Sequence, residues 1–369
     1  MDVVLSHETA LEAMRLPGAW RWIESVTRPS AAVPASLPRV KLLRELMGRD
    51  PVLQRLSTPL DLLVGGGRAR TRNSLAHAHL ESGELPQGSL IRITSDVLCV
   101  SPEHLAVQMA SQLTHLELVC LLSELMGTYA INPSAEDGMT QRDRPLMTPE
   151  SLRSHLSCLG SRRGTGAVAR ALADACVESG SPRETKLSMR LALKPALGGN
   201  NLYVLSMNEP FEVRRIHDSM RACVRKPDIL VGLRPGARDG ESRRFVAVEY
   251  HGRRHDSPER LAEDAVRTNE LKAIGIGEYV IRREQYREPG YVDGIADAIR
   301  RELGQPVRRL TSAESARRRE RSSQLYEELE CIDGIHWNGR ERERARLARG
   351  RESSDGWYEE VPLEAYGLE

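Results

Sequence analysis

The chain has 369 residues, 40% of them hydrophobic and 28% charged, with a formal net charge of +1. That length predicts two or three domains, and the near-neutral balance excludes a global polyelectrolyte, so any nucleic-acid contact must come from local patches. Aromatic residues make up only 4%, which argues against a protein built on base-stacking platforms.

The six cysteines, Cys99, Cys120, Cys158, Cys176, Cys223 and Cys331, form no C-x-x-C pair and read as reduced thiols. Met1-Asp-Val-Val-Leu-Ser-His7 lacks the basic start of a secretion signal, and no apolar run is long enough to span a bilayer. The expectation is a cytoplasmic protein with no membrane partner.

Residues 1–58 read as a mostly helical segment, loosely structured up to residue 40. His7 to Arg15 has helical spacing, Pro29, Pro34 and Pro38 interrupt, and Val40 to Met47 forms a short amphipathic helix stopped at Gly48. Trp20 and Trp22 are expected to cap a small core, with facing a partner the alternative.

Residues 59–178 read as an α+β region. Leu60 to Val64 is a strand that runs into Gly65-Gly-Gly67. Arg68-Ala-Arg-Thr71 follows where a phosphate loop needs Gly-Lys-Ser/Thr, so the glycines are a turn. His77 and His79 lie two apart on one strand face, with no third ligand nearby to suggest a metal. Ser89–Thr94 and Val97–Val100 are further strands. Ser101-Pro-Glu-His104 starts a helix with a serine cap, a first-turn proline and an early acid. A second helix runs from Glu117 to Met126. Residues 132–150 read as a linker, Thr148-Pro-Glu-Ser151 caps another helix, and Ala167–Glu178 is the last of this region.

Residues 179–305 carry the chemistry. Ser181-Pro-Arg-Glu184 matches a capping box opening a helix that reaches Leu193. Leu202–Ser206 is a strand. Ile229–Val231 and Phe245–Val248 are short β-prone runs around the breaker-rich loop Arg234-Pro-Gly-Ala-Arg-Asp-Gly240, and they are expected to pair antiparallel. If Leu233 faces Arg244, then Asp228 faces Glu249. Two carboxylates at the end of an apolar hairpin repel each other and cost desolvation, which a divalent cation with hard oxygen ligands relieves; the plainer alternative is a pair of strand-end acids in water. Pro258–Ile274 is a long helix, Glu278–Arg282 a strand and Tyr291–Leu303 a helix. The order helix, strand, strand, strand, helix, strand, helix is an α/β arrangement.

Residues 306–369 hold 12 arginines and 14 acidic residues and read as a charged helical or disordered tail, anchored by Trp337 and Trp357 and available to a protein partner or a second copy in a homodimer.

Ser181-Pro-Arg-Glu184, Pro227-Asp228, Val248-Glu-Tyr-His-Gly252 with His255, Glu263-Asp-Ala-Val-Arg267 and Leu271-Lys-Ala-Ile-Gly275 together resemble the very-short-patch-repair-like branch of the PD-(D/E)xK endonuclease superfamily, over about residues 181–303. The stretch Val97 to Ala110 resembles AbiEi-type antitoxin and regulator proteins. The resemblance implies a restriction-endonuclease-like core, a mixed sheet flanked by helices, preceded by a smaller α+β region. It implies a phosphodiesterase acting on DNA, with RNA as the alternative, in defence or repair. Asp228, Glu249 and the Tyr250 carbonyl would hold Mg²⁺ or Mn²⁺, and Glu184 would approach from its helix, where the capping box explains it equally well. Glu249-Tyr-His251 departs from Glu-x-Lys by placing histidine at the lysine position. His251 and His255 are the candidate proton acceptors. Arg253, Arg254 and Arg267 are candidate phosphate contacts, with an Asp264 ion pair the alternative for Arg267. A catalytically inactive, antitoxin-like binding protein on the same fold is the competing reading.

Overall fold

The computed structural model describes residues 2–24, 32–66, 73–215, 221–235, 245–252 and 258–352. The first half is built on a five-stranded sheet of β1 (Val3–Leu5), β2 (Leu60–Val64), β3 (Ala76–Leu80), β4 (Leu90–Arg92) and β5 (Val97–Val100), in the order β3-β2-β1-β5-β4. β1 runs parallel to β5 and antiparallel to β2. Residues 2–24 are therefore not loosely structured: their first strand is the centre of a sheet, with Val3, Val4 and Leu5 buried, whereas residues 32–39 hold no helix or strand.

Around this sheet lie α1 (His7–Met14), α2 (Trp20–Glu24), α3 (Val40–Arg49), α4 (Pro102–Met109), α5 (His115–Leu125), α6 (Pro149–Leu159) and α7 (Thr165–Asp174). Their starts follow from the expected caps. The Ser101 hydroxyl accepts from the His104 amide, and Thr114 and Thr148 form capping boxes. Trp20 and Trp22 pack against this first core. The stretch read as a linker instead contains half of a hairpin, β6 (Tyr129–Ile131) with β7 (Met139–Gln141).

The second half places α8 (Pro182–Ala192), β8 (Tyr203–Met207), β9 (Phe211–Arg214), β10 (Ala222–Arg225), β11 (Ile229–Gly232), β12 (Phe245–His251), α9 (Pro258–Ala273), β13 (Ile276–Arg282), α10 (Arg283–Tyr286) and α11 (Pro289–Glu302). Its mixed sheet has the order β13-β12-β11-β8, with β11 antiparallel to both neighbours and β12 parallel to β13. The period-two alternation of the strands sorts two cores. Ile229, Val231, Val246 and Val248 face Leu187 and Leu191 of α8 and Val292, Ala296 and Ile299 of α11. Leu230 and Ala247 point the other way, under Leu271 of α9. The result is an α/β layer with helices on both faces. β9 and β10 form a separate ribbon that the sequence reading did not anticipate.

The charged tail begins with two helices, α12 (Ser312–Cys331) and α13 (Gly339–Glu352). Leu325, Leu329 and Ile332 are buried in the first core, while Tyr326 packs on the second. The helix α8 does the same from inside the chain: Met189 and Leu193 belong to the first core, Leu187 and Leu191 to the second. Trp337 also packs on the first core; Trp357 lies outside the described residues. No described helix is long and apolar enough to cross a membrane.

His77 and His79 belong to a buried-edge cluster. His79 Nε2 lies 2.7 Å from Asp61 Oδ1, and its ring stacks on His7 at 3.8 Å. His7 itself takes a positive φ of +47°, a strained conformation for a non-glycine residue. Burial, and then the neighbouring His79 charge, push the His7 imidazole down to about 3. Unfolding lets it take a proton below pH ~6.5, so stability from this group is full above that pH and drains away as pH falls toward 3.

Between pH 7 and 5 this contribution amounts to about 2 kcal/mol. Melting curves across that range should show His7→Gln losing less stability than wild type on acidification; equal slopes would remove the cluster as the cause. A Leu329→Ala substitution should cost about 2–5 kcal/mol and lower one cooperative transition. A calorimetric trace in which one half melts early and the other is unmoved would contradict the shared role of α12.

Candidate functional site

The register of the central hairpin is Ile229 opposite Val248, Leu230 opposite Ala247 and Val231 opposite Val246. Continued by one residue, it sets Asp228 opposite Glu249. The two are joined directly: the Asp228 amide donates to Glu249 Oε1 at 3.3 Å, and the Tyr250 amide donates to Asp228 Oδ2 at 2.8 Å. They do not stand in open water. Glu249 is 3% exposed and Asp228 half-buried. Glu249 and His251 share the α9 side of β12 by strand alternation, while Tyr250 turns to the opposite side, where its ring meets Tyr286 edge-on at 5.7 Å.

Helix α9 supplies the counter-charge. Arg267 Nη2 donates to Glu249 Oε1 at 2.5 Å and to the Lys226 carbonyl at 2.9 Å, and its Nε lies 3.9 Å from Glu278 Oε1. Arg267 is thus an internal partner of the acids, only 24% exposed as a side chain; the side chain of Asp264, the alternative partner, lies outside the described residues. Glu278 on β13 was not singled out from the sequence. It is almost fully buried, accepts a short hydrogen bond from the Thr268 hydroxyl, and adds a third carboxylate around one guanidinium.

Glu184 enters from the first turn of α8. Its amide donates to the Ser181 hydroxyl at 3.1 Å, as the capping reading requires. The carboxylate, however, reaches past the cap: Oε2 accepts from the Gly180 amide at 2.8 Å and from Asn208 Nδ2 at 2.7 Å. A Cβ at Gly180 would lie 3.2 Å from that oxygen, so glycine is what admits the approach. Asn208, another residue the sequence reading missed, has φ +54° and donates its amide to the Pro227 and Asp228 carbonyls. It ties α8 to the strand that carries Asp228. Asn-Glu-Pro is a turn signal, and asparagine tolerates the left-handed region, which is the signal that could have found it.

Electrostatics follow from this crowding. Asp228 is held well above the usual carboxylate range by burial and then by the Glu184 charge, relieved in part by the Tyr250 amide and Arg267. Glu249 is raised by burial and then by Asp228, with Glu278 adding to it and Arg267 opposing. The pair thus retains a proton near neutrality, the mark of carboxylates with too little positive charge around them.

His255, Arg253 and Arg254 lie outside the described residues, so the structure places none of them. Asp228, Glu249, Tyr250, Glu184, His251 and Arg267 are described; the first three and Arg267 are in direct contact, and Glu184 connects through Asn208. Among the described residues, no group of three or more His, Cys, Asp or Glu side chains is arranged to enclose a metal ion. The chemistry of the donors nevertheless fits one hard divalent cation. Two under-neutralised carboxylates offer oxygen ligands, and Mg²⁺ is commonly held by one or two carboxylates while keeping several waters. No protein-family model, curated protein or solved structure matches the chain.

Because the folded pair binds protons more tightly than the unfolded chain, its unfavourable contribution grows as pH rises above ~4. Asp228→Asn removes the like charge. It should raise thermal stability by roughly 1–2 kcal/mol at pH 8, with the gain shrinking toward pH 5, read by scanning fluorimetry. A variant less stable than wild type at every pH would show that the Asp228 charge is not under strain.

Proposed function

We propose that the second half of the chain is a metal-dependent phosphodiesterase of the PD-(D/E)xK type that hydrolyses DNA. The observation that carries this reading is the Asp228–Glu249 pair, Glu249 buried and Asp228 half-buried, in register at adjacent strand ends and short of positive charge. The order of elements from α8 to α11 supports it, as does the entry of Glu184 from the first turn of α8. The β9–β10 ribbon is an addition to the order that the resemblance implies.

In this reading Asp228, Glu249 and the Tyr250 carbonyl hold Mg²⁺ or Mn²⁺, which when bound lowers the pKa of a coordinated water and neutralises charge on the phosphoryl group. The chain's own part is positional and electrostatic. Tyr250 and Asn208 fix Asp228 from two sides through their backbone amides. Glu184 adds negative charge beside Asp228 and so increases the site's affinity for a cation. Arg267 orients Glu249 and stands where a phosphate oxygen would meet a guanidinium. His251, on the same strand face as Glu249, is the proton acceptor in reach of the strand end. A reducing, cytoplasmic setting accords with six cysteines that all remain thiols.

One observation favours the competing reading of a non-catalytic regulator: Arg267 already sits on Glu249 Oε1, where it substitutes for part of a cation's charge. Cleavage assays separate the two. Wild type with Mg²⁺ or Mn²⁺ should cut plasmid or single-stranded DNA, and Asp228→Ala and Glu249→Ala should each reduce the rate at least a hundredfold. Absence of both cleavage and calorimetric metal binding in the wild type would leave the regulator reading.

A further inference from the structure

Helix α9 meets the acid pair along one stripe. Arg267, Thr268 and Leu271 share its inner face by helical spacing, and Leu271 belongs to the same small core as Ala247. The parallel register of β12 and β13 sets Ala247 beside Glu278. Glu278 therefore points to the same side of the sheet as Ala247 and Glu249. Two almost fully buried carboxylates thus face α9 from neighbouring strands, and one guanidinium stands against both.

That guanidinium is shared unevenly. Its Nη2 donates to Glu249 Oε1 at 2.5 Å and to the Lys226 carbonyl at 2.9 Å. Its Nε is buried, donates to no described residue, and stops 3.9 Å from Glu278 Oε1. Glu278 is held in a matching pose: the Thr268 hydroxyl donates to its Oε2, while Oε1 is turned to Arg267 beyond hydrogen-bond distance. A shift of about 1 Å would close the Nε contact, and the Lys226 carbonyl can keep Nη2 throughout it.

We infer that Glu278 is the second seat of the Arg267 guanidinium, taken when a divalent cation binds Glu249. The inference rests on the phosphodiesterase reading and adds how the cation gains entry to that site. Without a cation, Arg267 occupies Glu249 Oε1 and supplies part of the missing positive charge. A divalent ion on that oxygen repels the guanidinium, and a buried charge stripped of its partner is costly. Glu278 removes that cost, because it stands beside the displaced group and is already oriented by Thr268. With a neutral residue in its place, cation binding would strand Arg267, and the guanidinium would keep Glu249 instead. Glu278 is thus a positioning residue that acts through Arg267, not a ligand. The Arg267–Glu249 pair and the loaded site become two states of one side chain.

Titration calorimetry with Mn²⁺ on the full chain tests this in wild type, Glu278→Gln, Arg267→Gln and the double variant. Arg267→Gln should bind Mn²⁺ more tightly than wild type, since the competitor is gone. Glu278→Gln should weaken binding at least about fivefold in the wild-type background and less than about twofold beside Arg267→Gln, a coupling of the size found between contacting residues. Equal losses on both backgrounds would make Glu278 a remote charge and overturn the inference, as would weaker binding by Arg267→Gln. A second readout needs no substituted protein to carry the result. In arginine-labelled wild type, the Arg267 Nε–H proton resonance, assigned by its absence from Arg267→Lys, should move downfield on Mg²⁺ addition as its hydrogen bond to Glu278 forms. A resonance unmoved at saturating Mg²⁺ overturns the exchange. A wild type that binds neither ion sinks the inference and the enzyme together. Coupled binding without DNA cleavage upholds the exchange and sinks the enzyme alone; metal-dependent cleavage with uncoupled binding does the reverse.

Discussion

Two carboxylates, one buried and one half-buried, meet at the end of a sheet with one guanidinium to answer them. That imbalance organises the second half of the molecule. Burying a charge without a partner is expensive, so the fold surrounds Asp228 and Glu249 with amides from Tyr250 and Asp228 and with Arg267 from α9. The neighbouring Glu278 and Glu184 make the deficit worse rather than better. A protein selected for stability alone would place apolar residues here, since buried ionic groups seldom improve on hydrophobic ones. The persistence of surplus negative charge is what points to a function for the position, because perturbed carboxylates gather where chemistry or ion binding needs them.

The geometry around the pair is rigid because each element has a second attachment. Helix α8 presents Glu184 while its apolar stripe divides between two cores. Helix α9 presents Arg267 while Leu271 seals the small core beneath it and Glu270 holds Arg225. A displacement of either helix thus disturbs packing as well as the acids, and preorganisation of this kind is what electrostatic catalysis draws on.

Much of this was legible in the sequence, and the reasons for the exceptions are local. The antiparallel register of β11 and β12 follows from two β-prone runs around a breaker loop, and it brought Asp228 to Glu249. The Ser-Pro-x-Glu start of α8 likewise declares itself. Strand β1 was hidden because three residues cannot show an alternation and its partner β5 is far along the chain. The β9–β10 ribbon was hidden because its strands are only four residues each: Phe211-Glu-Val-Arg214 alternates for two periods and Ala222-Cys-Val-Arg225 not at all. Glu278 was read only as part of a strand, since nothing in Glu278-Tyr-Val-Ile-Arg282 reveals which face meets Arg267. The tail misled through composition: its charge is high, yet Leu325, Leu329 and Ile332 follow helical spacing, and that stripe rather than the charge decides that α12 docks.

The position of α12 also imposes an order of events on synthesis. Both cores take a contribution from a helix that leaves the ribosome after every described strand has been made. Until then, the surfaces that await Leu325, Tyr326 and Leu329 stay exposed to solvent and to other nascent chains. This helix works as a closing bolt, and a ribosome that stops before residue 332 releases a chain in which neither half is finished.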